Sequence, residues 1–359
     1  MKVAIIYKYV PEYRAAFFNL LRERAASAGI TVDLFAGEPE ARDVPRGDAV
    51  ELPWAHRVSN CEIRLGSAGA LYQPVLRATW GYDFVVVEQA ARLLFNYAAI
   101  ALSRMGGPRV IAWGHGRDLG SGAREVTECL KRHTLNWPDF WFAYSEGTRR
   151  YLEAAGVHSG RISVVHNSKQ VECGDSVGES GDAQMVFVGS LESHKHLQYV
   201  LDVADLVRSR VVDARMLFVG SGSEALLVDR FCAVRHWATH MPATHGKALG
   251  AIISSSAVML NPYGAGLTIV DAIQCGLPMV LVDGGGHGPE YEYVVPGVNA
   301  VVCRYGATTH EFADTVTEVL TNDSHRDKLV EGCQASAPFC SLERMVDDFI
   351  SGLRSAQNA

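Results

Sequence analysis

The sequence predicts an α/β protein with two doubly wound domains, each a parallel sheet covered by helices. Short apolar runs alternate with amphipathic stretches along the chain, which is the pattern of such sheets. At 359 residues the chain is longer than a single hydrophobic core usually supports. A composition of 48% hydrophobic residues is enough to bury two cores, so we expect two domains.

The apolar runs that have the length of strands fall into two sets. The first comprises residues 3–7, 31–36, 84–87, 110–113, 140–144 and 162–165, and the second comprises residues 185–188, 216–219, 258–260, 279–282 and 300–303. Between the sets, residues 170–182 are polar and rich in glycine and serine, which is typical of a linker. We therefore expect a first domain over residues 1–168, a linker over 169–182 and a second domain over 183–340.

Composition excludes several classes of protein. A net charge of −7 and a pI near 6.0 argue against a nucleic-acid-binding protein, which normally carries a clustered basic surface. The longest apolar region, residues 84–105, is interrupted by Glu88, Gln89, Arg92 and Arg104, so it does not predict a membrane span. No apolar leader precedes the first strand, and the cysteines contain no C-x-x-C pair. We expect a cytoplasmic protein with reduced, buried thiols.

Residues 261–290, NPYGAGLTIVDAIQCGLPMVLVDGGGHGPE, hold the most informative pattern in the chain. A glycine-rich turn opens a helix at Leu267, Asp271 lies one turn into that helix, and the following strand ends in glycines at 284–286. Glycines allow close approach of the backbone, and the N–H groups at a helix N-terminus favour a phosphate. A carboxylate at Asp271 suits sugar hydroxyls, and a loop that ends at Glu290 would close the pocket. The pattern predicts a binding site for a nucleotide diphosphate sugar.

The same segment resembles the donor-binding signature of retaining glycosyltransferases with the GT-B fold, the group called glycosyl transferases group 1 or family four. That signature reads Glu-x-Phe-Gly-Leu-x-x-x-Glu, followed by a helix ending in Cys-Gly-x-Pro, a strand and a Gly-Gly-x-x-Glu loop. In this chain Tyr263 stands at the first glutamate and Asp271 at the second. A branch of these enzymes also lacks the first glutamate, and His287, Pro289 and Glu290 are similar to its His-x-Pro-Glu loop.

The resemblance implies two facing Rossmann-like domains with the ligand cleft between them. Residues 163–168, SVVHNS, are similar to the strand and Asn-Ser that end the first domain in this fold. Residues 341–359 resemble the terminal helix that crosses back to complete that domain. The resemblance therefore extends over nearly the whole chain.

Two further segments of the second domain are similar to donor-binding elements of the family. Residues 187–195, FVGSLESHK, resemble a Val-Gly-Arg-Leu-x-x-x-Lys segment in which an arginine and a lysine hold the donor diphosphate. Lys195 is present, whereas Ser190 replaces the arginine, so a neutral donor stands where the family has a charged one. Residues 217–224, LFVGSGSE, resemble a glycine turn that places backbone against the nucleotide. For Gly222 a ligand contact and a purely structural turn are equally good interpretations.

In the first domain, His115 lies between two glycines directly after a predicted strand, in IAWGHGRD. The carboxyl ends of parallel strands hold side chains over the ligand cleft, and in related enzymes a histidine in this loop reaches the donor sugar. For Asp118 two interpretations are open: it orients the His115 ring, or it caps the following helix. Glu88, after the previous strand, is either an acceptor-binding carboxylate or an ordinary surface residue.

The first loop, KYVPEYR, resembles the Pro-x-Tyr-Arg-x-x-Phe-Phe opening of polysaccharide-assembling members of the family. The resemblance implies that Tyr13 and Arg14 contact an acceptor sugar by stacking and hydrogen bonding. Residues 131–133 form a short basic group with Arg149 and Arg150. A solvated helix face is the favoured interpretation of this group, ahead of contact with an anionic lipid head group.

The resemblance implies transfer of a hexose from a nucleotide diphosphate sugar to a hydroxyl of a saccharide or glycolipid, with retention at the anomeric carbon. No metal is expected, because Lys195, the N–H groups near residues 264–266 and the helix dipole stabilise the leaving diphosphate. GDP-mannose is the first expectation for the donor, beside UDP-hexoses. The expected residues are His115, Lys195 and Glu290 for catalysis; Ser190, Gly222, Tyr263, Gly264, Ala265, Gly266, Leu267, Thr268, Asp271 and His287 for the donor; and Tyr13, Arg14, Glu88 and Asp118 for the acceptor.

Two other functions remain open. Nucleotide-sugar epimerases share the GT-B architecture and need no acceptor, although Lys195 and Asp271 disfavour this reading. A non-catalytic sugar-binding or scaffold role is motivated by Ser190 and Tyr263, which replace an arginine and a glutamate on the donor side. Peripheral contact with a membrane also stays open, whereas a nucleic-acid partner is not expected.

Overall fold

The computed structural model describes residues 1–40, 48–65, 68–116, 134–174 and 183–359. They form two α/β units: one comprises Met1–Gln170 with Leu342–Ala359, and the other comprises Val171–Ser341. Each unit is built on its own parallel sheet with accompanying helices. The predicted fold class, two doubly wound domains, is therefore confirmed.

The first unit contains a large parallel sheet and a separate hairpin. Its strands are β1 (Lys2–Tyr7), β2 (Thr31–Ala36), β3 (His56–Arg57), β4 (Cys61–Leu65), β5 (Ala68–Tyr72), β6 (Phe84–Glu88), β7 (Arg109–Gly114), β8 (Phe140–Ala143) and β9 (Ile162–Val164). The large sheet has the strand order β3-β2-β1-β6-β7-β8-β9, and β4 pairs with β5 in an antiparallel hairpin. The order reverses at β1, which is typical of a doubly wound sheet with its ligand site at the carboxyl edge.

The second unit repeats this design with six strands. They are β10 (Gln184–Val188), β11 (Arg215–Val219), β12 (Ala238–Met241), β13 (Val258–Leu260), β14 (Met279–Val282) and β15 (Ala300–Cys303), and their order in the sheet is β12-β11-β10-β13-β14-β15. All pairs are parallel. The carboxyl ends of these strands therefore meet at one edge of the sheet.

The first eight helices of the described residues connect successive strands, and the last three follow β15. They are α1 (Glu12–Ser27), α2 (Leu76–Thr79), α3 (Leu94–Ser103), α4 (Glu146–Ala154), α5 (Leu197–Arg210), α6 (Ala225–Ala233), α7 (Gly246–Ser254), α8 (Thr268–Gln274), α9 (Thr309–Thr321), α10 (Asp323–Ser336) and α11 (Leu342–Asn358). Short 3-10 turns lie at Ser193–Lys195 and Pro289–Tyr293, next to the segments predicted to bind the donor.

Each sheet is covered on both faces, which explains why its central strands are continuous apolar runs. In β1, Val3 and Ile5 belong to one hydrophobic cluster, whereas Ala4 lies in another on the opposite face. Similarly, Phe187 and Val186 of β10 belong to different clusters. Side chains alternate between the faces of a strand, so burial of both faces requires every position to be apolar.

The last helix, α11, packs into the core of the first unit. Its buried residues include Met345, Phe349 and Leu353. The ring of Phe349 lies 5.6 Å from that of Phe17 in α1 and 5.4 Å from that of Trp113 in β7. Helix α11 is thus a component of the first unit although it follows the second in sequence.

The strands that sequence patterns did not predict lie at sheet edges or in the hairpin. Both residues of β3 are exposed, and of β12 only Ala238 is buried. An edge strand forms by backbone pairing on one side and needs no apolar run. The hydrophobic pattern therefore predicts all the central strands and the edge strands β9 and β15, and it misses β3, β12 and the hairpin.

The described part of the expected linker is attached to the second unit. The N–H of Gly174 donates to Oγ of Ser254 in α7 at 2.9 Å, and Cys173 forms a disulfide with Cys275 at the end of α8. Residues 171–174 therefore belong structurally to the unit that follows them.

The expectation of reduced, buried thiols is wrong for part of the cysteines. Cys173 and Cys275 are bonded to each other, and Cys61 is exposed on β4. It holds for Cys333 and Cys340, where burial raises the pKa of each thiol to about 12. Spacing along the chain could not show the disulfide because its partners are 102 residues apart.

Candidate functional site

Two glycine loops lie side by side at the carboxyl edge of the second sheet. The N–H of Gly264, after β13, donates to the carbonyl of Gly285 at 2.8 Å, and the N–H of Gly288, after β14, donates to that of Ala265 at 2.7 Å. Gly264 and Gly286 have φ of 63° and 66°, a region that favours glycine. The two glycine stretches singled out in the sequence therefore form one hydrogen-bonded structure.

The side chain of His287 connects these loops by hydrogen bonds. Its Nδ1 accepts from the N–H of Ala265 at 3.1 Å, and its Nε2 donates to the carbonyl of Val282 at 2.8 Å. This arrangement requires the neutral imidazole, in agreement with burial, which lowers the pKa of His287. Its ring stacks on Tyr291 with centroids 4.6 Å apart. Both ring nitrogens are therefore bonded to backbone groups of this edge, and the expected contact of His287 with the donor stays a prediction.

Lys195 brings a buried positive charge to the same loops. The residue is 7% exposed, and its Nζ donates to the carbonyl of Gly264 at 2.5 Å. Burial lowers the pKa of the ammonium, and among the described residues no acidic side chain is paired with it. A buried cation without a counter-charge is unfavourable in the free protein. The site is therefore suited to an anion.

Two buried carboxylates and the start of α8 complete this edge. Helix α8 begins at Thr268, directly after Leu267, and Asp271 in its first turn is 3% exposed. Glu290 is 4% exposed, and a Cβ added to Gly266 would lie 3.6 Å from its Oε2. The Glu290 carboxylate thus faces the turn that contains Gly264, whose carbonyl accepts the hydrogen bond from Lys195.

Tyr263, which stands where the family signature has its first glutamate, is held by other rings. Its centroid lies 4.6 Å from that of His196 and 5.5 Å from that of Tyr199. Burial raises the pKa of the Tyr263 hydroxyl. The ring of Tyr263 therefore packs against side chains of the neighbouring turn and of α5.

Gly222 is required by the contact between two loops. A Cβ at this position would lie 2.4 Å from the carbonyl oxygen of Leu191. The loops are also joined by hydrogen bonds from Leu191 N–H to the carbonyl of Ser221 and from Glu224 N–H to that of Leu191, at 2.9 and 2.8 Å. This structure accounts for the glycine without a ligand. Ser190, in the first of these loops, is exposed.

In the first unit, His115 and Glu88 follow neighbouring strands. The His115 ring lies 4.6 Å from that of Tyr144 in an edge-on contact and is half-buried. Glu88 ends β6, and its Oε2 accepts from the N–H of Lys8 at 2.8 Å. Its charge, after burial, raises the pKa of Tyr7. Both side chains thus lie at the carboxyl edge of this sheet, as the strand positions predicted.

Arg14 has a different position from the one expected for a direct acceptor contact. Its side chain is 1% exposed and donates to Oδ1 of Asn167 at 2.5 Å and to the carbonyl of Ser168 at 3.4 Å. Its guanidinium also lies 5.2 Å from the Trp113 ring centroid. Arg14 is therefore a core residue, and only its neighbour Tyr13, which is 38% exposed, is accessible to a ligand.

The sequence reading missed a charged group at the same edge. Lys8 Nζ lies 2.9 Å from Oε2 of Glu40, and Arg92 forms an ion pair with the same oxygen. Burial would raise the pKa of Glu40, but hydrogen bonds from Arg92 and Lys8 lower it. Lys8 directly follows β1, and that position was the available signal.

Some predicted residues cannot be compared with the structure. Asp118 and the basic residues 131–133 lie outside the described residues. Arg149 is described, and it pairs with Glu153 one helical turn later at 3.1 Å, which fits the solvated helix face. Within the described ranges, none of the helices combines the length and apolar character that crossing a membrane requires.

Two protein-family models match this chain, one in each half. Residues 17–168 match the family described as Glycosyltransferase Family 4, and residues 182–322 match that described as Glycosyl transferases group 1. Together the two matches span most of the chain and divide it between the two sheets. The chain belongs to the glycosyltransferases. No curated protein sequence matches it.

Solved structures similar to this glycosyltransferase extend over its full length. HepE of Anabaena in complex with UDP has a TM-score of 0.72 at 14% identity, covering 99% of this chain and 100% of that chain. Sucrose-phosphate synthase of Thermosynechococcus elongatus has a TM-score of 0.73 at 14% identity, covering 99% and 98%. TarM of S. aureus in complex with UDP has a TM-score of 0.70 at 9% identity, covering 98% and 99%. These similarities establish the GT-B fold.

Proposed function

We propose that this glycosyltransferase transfers a hexose from a nucleotide diphosphate sugar to a hydroxyl of a saccharide or glycolipid, with retention and without a metal ion. The observation that carries the proposal is the buried ammonium of Lys195 beside two joined glycine loops. A leaving diphosphate accumulates negative charge as the glycosidic bond breaks. A fixed cation and N–H donors at that point stabilise the transition state without reorganisation.

The energetics of Lys195 favour an anionic ligand over a structural role. Burying an ammonium without a paired carboxylate costs free energy in the unliganded protein. A diphosphate next to Nζ offsets that cost and converts the burial into binding energy. The single hydrogen bond to Gly264 leaves the remaining N–H donors of the ammonium for phosphate oxygens.

Sugars linked to UDP are the donors that we propose to test first. The structures of HepE and TarM that are similar to this chain contain UDP. They favour a UDP-linked hexose as donor over GDP-mannose, the first expectation from the sequence. A panel of donors that carry different hexoses identifies the sugar.

Roles for the other residues follow from their burial. We propose that Asp271 binds the ribose hydroxyls and that Glu290, which faces Gly266, binds the donor sugar. His115 and Glu88, at the carboxyl edge of the first sheet, are proposed to contact the reacting sugar and the acceptor respectively. Tyr13 remains the exposed candidate for stacking on an acceptor sugar.

The proposal is tested by thermal shift and calorimetry with UDP-, GDP-, ADP- and dTDP-linked hexoses in the presence of EDTA. A donor at ~100 times its dissociation constant should stabilise the protein by about 2.7 kcal/mol. Lys195→Ala should abolish that shift, whereas the exposed Lys247→Ala should retain it. NMR of the product formed with an acceptor panel then gives the anomeric configuration.

Four results would contradict parts of this scheme. Absence of binding with every donor would remove the transferase assignment and favour a scaffold role. A sugar that is released or epimerised without an acceptor would favour the epimerase reaction. An inverted product or a loss of activity in EDTA would overturn retention or metal independence, respectively.

A further inference from the structure

A histidine lies beside Lys195 at the glycine turn, where the family signature has no assigned residue. Ser190 replaces the arginine of that signature, which leaves Lys195 as the residue of the segment with a permanent positive charge. We propose that His194 supplies the second positive charge for the donor diphosphate and that it becomes protonated when the donor binds. This inference rests on the proposed function and specifies how its diphosphate site works.

The geometry places both side chains at the same glycine. His194 and Lys195 belong to one 3-10 turn, Ser193–Lys195. A Cβ added to Gly264 would lie 3.2 Å from Cδ2 of His194 and 3.5 Å from Nζ of Lys195. The imidazole and the ammonium therefore border the space above the turn, which the missing side chain of Gly264 leaves open.

His194 differs from His287 in being available. His287 uses both ring nitrogens within the protein, whereas His194 is exposed, and neither of its nitrogens is bonded within the described part of the chain. A diphosphate oxygen at Gly264 would thus meet an imidazole that can turn and donate. Charge-assisted hydrogen bonds of this kind are shorter and stronger than the neutral bond that Ser190 can provide.

The surroundings of His194 favour its neutral form in the free protein. Burial, Lys195 and His196 lower the pKa of His194, and they outweigh Glu192, which raises it. Glu192 itself accepts from the N–H and hydroxyl of Ser223, at 3.1 and 2.5 Å, so it is held away by another loop. The facing turn adds the titratable side chain of Tyr263, whose pKa is raised and which is therefore uncharged.

A bound diphosphate reverses this balance because it adds negative charge next to the ring. The pKa of His194 then rises, and binding takes up a proton between the pKa values of the free and bound states. The sign is defined: affinity for the donor increases as the pH falls from 8 toward 6. The His194→Gln variant described below separates this dependence from any contribution of Lys195, whose pKa is lowered by burial.

The test measures binding of UDP-glucose, or of whichever donor the panel identifies, by calorimetry at pH 6 and pH 8. A nucleotide sugar is used because the terminal phosphate of free UDP titrates near pH 6. Wild-type protein should bind about 5- to 10-fold more tightly at pH 6, the range expected for one charge-assisted contact. The enthalpy measured in two buffers of different ionisation heat should report uptake of a fraction of one proton.

Variants separate charge from structure. His194→Gln should bind with the wild-type affinity at pH 8 and lose the increase at pH 6. His194→Arg should bind tightly at both values, since its charge does not titrate in this range. The control is His236→Gln, an exposed histidine before β12 at the opposite edge of the same sheet, which should keep the wild-type pH dependence.

The outcomes distinguish this inference from the proposed function. Donor binding that is lost in Lys195→Ala but is equally strong at pH 6 and 8 would overturn the role of His194 and leave the transferase proposal standing. The same conclusion follows if His194→Gln retains the pH dependence. No binding of any donor by the wild-type protein would overturn both.

Discussion

The two units each bury a basic side chain near the carboxyl edge of their sheet, and the two residues have opposite surroundings. In the first unit, Arg14 is enclosed by aromatic rings and donates to Asn167 and Ser168. In the second, Lys195 donates to one carbonyl and borders an open glycine turn. Among the described residues, neither is paired with a carboxylate.

The pKa values express the same contrast. Burial would lower the pKa of Arg14, but the tyrosines around it, first Tyr13 and Tyr144, raise it. Burial lowers the pKa of Lys195, and no neighbour compensates. The fold thus surrounds the charge of Arg14 with aromatic rings and hydrogen-bond acceptors, whereas it gives the charge of Lys195 a single carbonyl. Burial of a cation alone does not indicate function; the polar atoms around it decide.

The strongest test of this contrast is Lys195→Met, which removes the charge and keeps most of the apolar stem. Loss of one transition-state donor typically reduces kcat by about 10² to 10³-fold. The free energy of unfolding should stay the same or increase, because an unpaired buried charge is removed. Transfer rates and urea denaturation measure the two effects. A variant that is both active and unstable would show that Lys195 is structural.

The matching change in the first unit is Arg14→Met, with the opposite outcome. It removes the hydrogen bonds that Arg14 donates to Asn167 Oδ1 and to the Ser168 carbonyl, at a cost of about 1–3 kcal/mol for each buried bond lost. We expect stability to fall by about 3 kcal/mol while the folded fraction still binds the donor. Arg22→Met, on the exposed face of α1, removes only a contact with Trp54 and should cost about 0.5–1 kcal/mol.

Equal stability of Arg14→Met and Arg22→Met in urea denaturation would contradict the role of Arg14 in the core. Weaker donor binding by the folded Arg14→Met protein would instead show that its effect reaches the second unit.

The same contrast shows what the sequence could predict. The central strands of both sheets were predictable because burial on both faces makes them continuous apolar runs, and residues 258–260 and 279–282 coincide with β13 and β14. The two glycine loops that lie together after β13 and β14 were predictable because each glycine stretch follows an apolar run directly.

Roles that depend on a residue's partners in the fold could not be predicted from its motif alone. Arg14 follows the motif of an acceptor-binding loop, yet its partners Asn167 and Met345 are 153 and 331 positions away. Gly222 follows a nucleotide-binding pattern, yet its space is set by Leu191. His287 fits the His-x-Pro-Glu loop, yet its nitrogens are taken up by backbone groups. In each case the residue type was correct and its partner decided its role.

A smaller effect is expected for Gly264→Ala. This variant tests whether the open space at the Gly264 turn is what makes the surroundings of Lys195 different from those of Arg14. The φ of 63° and the approach of His194 to 3.2 Å both disfavour a Cβ there. We expect a loss of stability of about 1–2 kcal/mol and a loss of donor affinity of about 10-fold. Gly246→Ala is the control, because its φ is 55° but nothing lies within 4 Å of the added Cβ. It should lose stability alone, and a matching loss of affinity in both variants would remove the steric argument.

The smallest expected effect concerns His287, whose ring nitrogens are hydrogen-bonded to Ala265 and Val282 next to that turn. Its pKa is lowered by burial, so the unfolded chain binds the proton more readily than the folded one. Stability should therefore be complete above the unfolded pKa of about 6.5 and decline as the pH falls toward the lower folded pKa, with a slope of at most about 1.4 kcal/mol per pH unit for one proton. Urea denaturation between pH 7.5 and 5 should show a shallower decline for His287→Gln than for the wild type. His236→Gln, whose ring is exposed, should follow the wild type. An unchanged decline in His287→Gln would mean that the glycine loops hold together without the neutral imidazole. The position of Lys195 beside them would then depend on the backbone hydrogen bonds of Gly264 and Gly288 alone.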